Sequence, residues 1–160
     1  DLADLRDVLL VDRPVRLHRA AEMDAAIPRE LASRIAATAA GIEGVRSAVV
    51  CSAEGDVLGA ARSEEPSKDA ALASFVAVRA EALPVDGDLR GMGKQLAGST
   101  FSHMSIVGSS GESALYHLAP GAYLSVRIAP GRSAMTAGPL AALARRVSTM
   151  PESTMRSPQP

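Results

Sequence analysis

Two histidines, His103 and His117, are spaced so that they could support metal chemistry. A three-residue turn at 109–111 would pair Gly108 with Glu112 and set the two histidines opposite each other across a hairpin. Their ring nitrogens could then share a metal ion. Zinc usually takes four ligands, and no third cysteine, histidine or carboxylate falls at a natural spacing. We therefore predict a chance cross-strand pair, with no metal site and no cofactor.

The remaining chemical motifs fail their spacing tests. Residues 91–94 suggest a phosphate loop, but Asp88 stands where that motif needs glycine and Gln95 where it needs Ser or Thr. The serines at 109–110 do not match the G-x-S-x-G nucleophile elbow and fall in a predicted hairpin turn. The adjacent carboxylates at 64–65 lie in a polar break, where a solvated surface is expected. The sequence thus indicates a binding or scaffold protein rather than an enzyme.

Composition narrows the class of partner. The 160 residues carry 17 Lys plus Arg against 18 Asp plus Glu, so no strong field favours nucleic acid or an anionic membrane. The single Cys51 cannot form an internal disulfide and is predicted to be a small buried residue in a strand, which suits a cytoplasmic protein. No apolar run is long enough to insert into a membrane. No basic-then-apolar leader pattern stands at the start of the sequence, which opens with Asp1 rather than Met.

The order of predicted elements indicates an α+β fold. A helix at 28–40 precedes a hairpin with strands at 45–52 and 56–61, and the longest helix covers 67–83. Three strands at 101–108, 113–118 and 123–128 follow, and Gly138–Pro139 opens a final helix. Tight turns between consecutive strands require antiparallel pairing. The order α-β-β-α-β-β-β-α therefore predicts a sandwich with one five-stranded antiparallel sheet and helices packed on it.

Three segments lie outside these elements. Residues 1–27 are predicted to be an arm or linker, although a helical stripe of leucines and valine before Pro14 also fits a docking segment (Leu2, Leu5, Val8, Leu9). Residues 84–98 are rich in glycine and are predicted to form a mobile loop. Residues 151–160 are predicted to be a disordered tail. The folded domain is therefore expected to span 28–150.

The predicted helix at 67–83 has two apolar faces. One stripe carries larger side chains (Leu72, Phe75, Val76, Arg79, Leu83), and the second carries smaller ones (Ala71, Ser74, Val78, Ala82). A helix with two apolar faces must pack against more than its own sheet. We expect the face with smaller residues to contact another helix, from a second copy of the chain.

The first hairpin resembles the roadblock/dynein light-chain family, and specifically its bacterial branch of GTPase regulators. That family has an I-x-G-V-x-G/A-hydrophobic strand, then S-x-D/E-G and a second strand. Ten residues match this pattern: Ile42, Gly44, Val45, Ala48, Val49, Val50, Ser52, Glu54, Gly55 and Leu58. A second match joins the strand at 123–128 to the helix opened by Ala137–Gly138–Pro139–Leu140. The resemblance covers about residues 28–148 and implies a profilin/longin-like sandwich.

The resemblance implies a homodimer that binds a Ras-like small GTPase and has no active site of its own. The third strands of two subunits would pair while their long helices pack side by side, with an interface at Ala71, Ser74, Phe75, Val78, Ala82, Phe101, His103, Ser105 and Val107. Arg79, Arg90 and Arg46 are the candidates for partner binding or an arginine finger. The alternative is a PAS/GAF/profilin-like module that senses a small ligand in a pocket between sheet and helices.

Overall fold

The protein is described by a computed structural model that covers residues 27–82 and 101–151. Its elements run in the predicted order: α1 (Arg29–Ala40), β1 (Val45–Ser52), β2 (Val57–Ala61), α2 (Pro66–Ala82), β3 (His103–Gly108), β4 (Gly111–Ala119), β5 (Ala122–Ile128) and α3 (Ser133–Ser148). The predicted loop at 84–98, nearly all of the arm and all but the first residue of the tail lie outside the described residues.

The five strands form one antiparallel sheet in the order β2-β1-β5-β4-β3. Helices α1 and α3 pack on one face and α2 on the other, so the sheet lies between two helical layers. The predicted α+β sandwich is therefore confirmed. Among the described helices, none combines the length and apolar character that a membrane span requires.

Strand β1 contributes side chains to both cores. Ala48 and Val50 pack under α1 and α3, whereas Val49 and Cys51 pack under α2. An irregularity in its pairing with β5 between Val45 and Ser47 brings Val45 onto the α1 side as well. A strand that is covered on both faces needs apolar residues at successive positions, which explains the unbroken apolar run in this strand.

The inner face of α2 differs from the expected one. Its buried positions are mainly alanines (Ala70, Ala73, Ala77, Ala80) together with Asp69 and Ser74. The larger Leu72, Phe75 and Val78 are at least half exposed. The prediction placed Ser74 on the face available to another chain, but the structure buries it beside Gly55 of the β1–β2 turn. Small side chains allow the helix axis to lie close to the sheet, and this requirement outweighs the burial of larger ones.

The β3–β4 hairpin is shifted by one residue from the predicted register. The turn has two residues, Ser109 and Ser110, so Gly108 pairs with Gly111 and His103 with Tyr116. A one-residue shift moves each side chain to the other face of the sheet. Met104 and Ile106 therefore lie on the α2 side, not with Tyr116 as the longer turn implied.

Helix α3 begins at Ser133, five residues before the predicted start at Gly138. The Glu112 carboxylate accepts hydrogen bonds from the Ser133 hydroxyl and from the Gly131 backbone N–H, and these bonds lower the pKa of Glu112. Pro139 therefore lies inside the helix, where it removes one backbone donor. The prediction was wrong because a contact from β4 supports an additional turn ahead of the proline.

Gly59 marks the closest approach between α1 and the sheet. A Cβ atom placed on Gly59 would lie 2.5 Å from backbone atoms of Ala32 and Ser33. Gly44, in the I-x-G-V motif, is constrained twice: its φ is +93°, and its Cβ would lie 2.9 Å from side-chain atoms of Arg132 and Thr136. Gly44 thus allows the chain to pass beneath the start of α3 as it enters β1.

We predict that Gly59→Ala destabilises the protein by about 2 kcal/mol or more, because the added methyl group would force α1 away from β2. Urea denaturation measures the change in the free energy of unfolding. Gly138→Ala is the matched control, because its Cβ would meet no heavy atom within 4 Å. The control should be neutral or stabilising by up to about 1 kcal/mol, since alanine favours a helix over glycine. Equal stabilities for wild type and Gly59→Ala would contradict this packing.

Candidate partner-binding surface

The side of α2 that points away from the sheet is apolar. Leu72, Phe75 and Val78 are 60%, 54% and 51% exposed. Their spacing of three residues places them along one side of the helix, and Ala71 and Ala82 beside them are exposed as well. Contiguous apolar side chains on a surface typically mark an interaction site. This outward side of α2, defined by these five residues, is the first part of the candidate surface.

Polar contacts hold α2 in place near both of its ends. Near the N-terminus, Asp69 accepts hydrogen bonds from Arg127 Nη2 on β5 at 2.6 Å and from Ser63 Oγ at 2.7 Å. Near the C-terminus, the Tyr123 hydroxyl of β5 donates to Glu81. Burial, and then this hydrogen bond, raises the pKa of Tyr123. The outward side of α2 is therefore presented by a helix that is fixed to the same strand at two points.

The second part of the candidate surface is the free edge of the sheet at β3. Each residue of this strand except Met104 is exposed, and Val107 is 74% exposed. Among the described elements, β3 packs extensively only against β4. An edge strand with unpaired backbone groups is a template for another strand. The opposite edge, β2, is only five residues long, and α1 packs closely against it.

The residues predicted for a dimer interface differ in their place and in their burial. Ala71, Phe75, Val78 and Ala82 lie on the outward side of α2, and His103, Ser105 and Val107 are exposed on the edge strand. Phe101 is partly buried, with its ring centroid 6.5 Å from that of Tyr123. Ser74 is buried within its own chain, as described above. The sequence does contain a signal for the inward face of α2, because its buried alanines recur at helical spacing.

The candidate arginines do not form a cluster in the described residues. Arg79 lies near the C-terminus of α2, where its guanidinium carbon is 3.5 Å from the centroid of the Phe75 ring. Arg46 is exposed near the start of β1, at the sheet end closer to the N-terminus of α2. Arg90 lies outside the described residues. Of Arg79 and Arg46, only Arg79 lies next to the outward side of α2, over the ring of Phe75.

The two histidines lie on opposite faces of the sheet. His103 stacks on Tyr116, with ring centroids 5.6 Å apart, on the side of α1 and α3. His117 approaches the edge of the Tyr123 ring, with centroids 5.8 Å apart, on the side of α2. The shifted register thus removes the cross-strand pair that the longer turn would produce. Within residues 27–82 and 101–151, no three potential ligands lie close enough to hold a metal ion.

Comparison with known proteins finds a match in structure but not in sequence. Neither the family models nor the curated proteins contain a match. The roadblock/LC7 domain of Streptomyces avermitilis superposes with a TM-score of 0.59 at 18% identity, covering 72% of this chain and 92% of that one. The gliding protein MglB of Thermus thermophilus gives 0.56 at 18% identity, covering 76% and 90%. An MglB structure with a tetrameric arrangement gives 0.55 at 21% identity, covering 75% and 90%.

The chain has the roadblock/LC7 fold. The match spans nearly the full length of each of these domains, so the resemblance predicted from the hairpin motif is confirmed at the level of the fold. At these identities the likeness extends to the arrangement of helices and strands. In this fold the hairpin motif forms β2 and β1 at one side of the sheet, against α1, whereas the exposed apolar residues come from α2 and β3.

We predict that Cys51 is chemically silent in the native protein. The residue is fully buried, and burial raises the pKa of its thiol to about 12. At pH 8 the thiol is therefore protonated, and a disulfide reagent that requires thiolate should react only after unfolding in guanidinium. Ala37→Cys, at an exposed position of α1, is the control and should add one reactive thiol in the native state. Rapid native labelling of the wild type would contradict this assignment.

Proposed function

We propose that the chain is a homodimeric, non-catalytic regulator or scaffold that binds a Ras-like small GTPase and modulates its GTP hydrolysis or its localisation. The observation that carries this proposal is the pairing of an exposed apolar helix side with an exposed sheet edge, in a chain with the roadblock fold. The family resemblance implies this use of the two surfaces. The protein acts through contacts, because a dimer of this kind would reposition loops of the GTPase rather than supply an active site.

The edge strand supports self-association. Two copies of β3 can pair in an antiparallel manner about a twofold axis, and such an isologous contact uses the same residues on both subunits. Pairing would satisfy the exposed backbone groups of β3 and would cover Val107 and Ile106. The two α2 helices would then lie on the same face of a continuous ten-stranded sheet. A self-associating relative supports the idea, since one MglB structure has a tetrameric arrangement.

The outward side of α2 offers the contacts that a protein partner would need. Phe75 is an aromatic anchor, and the guanidinium of Arg79 lies over its ring. Aromatic residues and arginine are the most frequent energetic centres of protein interfaces. A guanidinium held on an aromatic ring is also oriented before binding, so it loses less freedom when it docks. We therefore assign Arg79 a docking role in GTPase binding, and not the role of an arginine finger.

The alternative function, ligand sensing in a PAS/GAF/profilin-like module, requires an apolar pocket between sheet and helices. On the α1 side, the backbone at Gly59 touches the backbone at Ala32. On the α2 side, a row of alanines brings the helix close to the sheet. These close approaches favour the protein-binding function.

We predict that the chain is a dimer at micromolar concentration. Phe75→Glu and Val107→Glu should each raise the dissociation constant of the dimer at least tenfold, about 1.4 kcal/mol, because each places a charge in a contact that excludes water. Sedimentation velocity over a concentration series measures the constant. Ala37→Glu makes a similar change at an exposed position on α1 and should leave it unaltered. A monomeric wild type at tens of micromolar would reject the homodimer.

A second prediction tests the GTPase and the role of Arg79. The dimer should bind a Ras-like GTPase encoded beside its gene, and Arg79→Ala should weaken binding about tenfold by removing the docking cation. Arg79→Lys keeps the charge and should retain stimulated hydrolysis within a few fold, whereas loss of a true arginine finger costs about 10³-fold or more. Arg34→Ala, exposed on α1, is the control. No binding to the GTPase and no change in its hydrolysis would reject the function.

A further inference from the structure

The charged side chains of the described residues divide between the two helical layers. Helices α1 and α3, with the segments that join them to β1 and β5, carry five exposed arginines against two glutamates (Arg29, Arg34, Arg132, Arg145, Arg146; Glu30, Glu43). The α2 side, which includes the β1–β2 turn and the approach to α2, carries six carboxylates against three cations (Glu54, Asp56, Glu64, Glu65, Asp69, Glu81; Lys68, Arg79, Arg127). The near balance of charge in the whole chain thus conceals one basic and one acidic side.

Two further charges lie at the edges of the basic side and offset each other. Arg62 Nη1 donates to the carbonyl of Ala40 at the end of α1, at 3.0 Å. The Glu112 carboxylate accepts a hydrogen bond from Ser133 at the start of α3. The excess of positive charge therefore comes from the five arginines, and we call the outer side of α1 and α3 that carries them the α1–α3 face.

Helices α1 and α3 run antiparallel in their layer. The chain leaves α1 near Gly44, and Gly44 lies against Arg132 and Thr136 at the start of α3. From this end α1 and α3 run back over the sheet for 12 and 16 residues, about 18 and 24 Å. Arg29 therefore lies towards the same end of the layer as Arg145 and Arg146, and Arg132 lies at the other end. The positive charge extends over the whole face.

The arginines of the α1–α3 face are available to a ligand. All five are exposed, and the ion pairs found within residues 27–82 and 101–151, Lys68–Glu65 and Arg127–Asp69, both lie on the α2 side. An unpaired guanidinium in water is free to form the two parallel hydrogen bonds that it makes with a phosphate or a carboxylate. The face therefore suits an anionic partner.

An apolar side chain lies among these arginines. Met135 is 42% exposed, and its Sδ lies 3.3 Å from Nη1 of Arg132. It is two positions from Ser133, about 200° around the helix, so it points away from the β4 side that Ser133 contacts. Arg146 is 11 positions further on, close to three turns, and lies on the same side of α3 as Met135. Phosphate-binding and apolar groups thus share one exposed surface.

We propose that the α1–α3 face binds the surface of a membrane that contains anionic lipids. The arginines would contact lipid phosphates, and Met135 would reach the boundary between headgroups and acyl chains. A bilayer offers phosphates across a broad surface, which matches charge spread over two helices that lie flat on a sheet. Nucleic acid fits less well, because neither helix projects to enter a groove and aromatic residues, which stack on bases, make up only 2% of the chain.

The range of the electrostatic attraction decides which charges matter. Each basic residue near an anionic membrane strengthens binding roughly fivefold. At physiological salt the attraction decays over about 8 Å. The outer sides of the two helical layers are separated by the sheet, and taking about 10 Å per packed layer puts them roughly 20 Å apart. The carboxylates of the α2 side are therefore screened from a membrane at the α1–α3 face, and the net charge of the chain does not control binding.

The proposed dimer would leave this face free and present it twice. Antiparallel pairing of two β3 strands about a twofold axis places both α1–α3 faces on the side opposite the α2 helices. Their centres would lie about 30 Å apart, since each is about three strand spacings from the axis. Two linked sites on one membrane bind more tightly than either alone. A GTPase bound at α2 would then be held near the membrane, and this consequence rests on the function proposed above, whereas membrane binding itself does not.

Co-sedimentation of the full-length protein with lipid vesicles tests the proposal. We expect binding to phosphatidylcholine vesicles that contain about one-third phosphatidylglycerol, none to pure phosphatidylcholine, and release when the salt is raised from about 0.1 M to 0.5 M. Arg145→Gln combined with Arg146→Gln should weaken binding about tenfold or more. Lys68→Glu changes the net charge by the same amount on the α2 side and should alter binding less than about twofold. Glu43→Gln should strengthen binding a few fold, and Glu64→Gln, on the α2 side, should not.

A single tryptophan identifies the face that meets the lipid. The chain contains no tryptophan, so Met135→Trp and Ser67→Trp each add one fluorescent reporter, on α3 and at the start of α2. The emission of Met135→Trp should shift to the blue on addition of the anionic vesicles, and that of Ser67→Trp should not. The opposite pattern would place the membrane on the α2 side and overturn the proposal.

Three other results would also overturn it. The first is no binding to anionic vesicles at the lower salt, and the second is equal weakening by Lys68→Glu and by the double arginine change. The third is retention by poly-L-glutamate or duplex DNA without vesicle binding, which would assign the face to a soluble polyanion. Sedimentation and GTPase binding without vesicles test the proposed function separately. A chain that binds anionic vesicles but neither dimerises nor binds a GTPase would support membrane binding and reject that function.

Discussion

Small residues at the helix–sheet contacts are the constraint on which the rest of this structure depends. On one face, Gly59 lets the backbone of β2 touch that of α1 at Ala32. On the other, four alanines form most of the inner face of α2. Because the inner positions are filled by methyl groups, the larger apolar residues of α2 lie outside. Close packing inside thus produces the exposed surface that gives the protein its candidate binding site.

That surface is useful only because α2 is held in a defined orientation. Alanine contacts are short-range and fix the distance between helix and sheet more strongly than the rotation of the helix about its axis. The bond network of Asp69 with Arg127 and Ser63, and the bond from Tyr123 to Glu81, connect two points of α2 to the same strand. Because β5 is the central strand, paired with both β1 and β4, these bonds attach α2 to the centre of the sheet. The outward side of α2 is therefore preorganised, which would lower the entropic cost of binding for the proposed partner.

The exposure of the edge strand β3 has a different cause. Its exposure follows from the strand order, because β3 is last in the sheet and the described helices lie over the other four strands. The two-residue turn then decides which side chains face which layer. This turn places His103 and His117 on opposite faces of the sheet. His103 stacks on Tyr116 and His117 contacts the edge of the Tyr123 ring, so each histidine packs against a tyrosine of its own chain. The outward side of α2 and the β3 edge are the two features on which the proposed partner binding rests.

The sequence by itself determined the order of all eight elements, the limits of β1 and the resemblance to the roadblock fold. These follow from local signals: apolar alternation, helix-ending glycine and the turn between β1 and β2. Three features were decided only by the tertiary structure. Which face of α2 points inward depended on how near the helix comes to the sheet. The register of the β3–β4 hairpin depended on one residue in its turn. The start of α3 depended on hydrogen bonding to Glu112, which is distant in the sequence. Each of these is a contact between residues far apart in the chain or a shift of one position, and local periodicity cannot distinguish such alternatives.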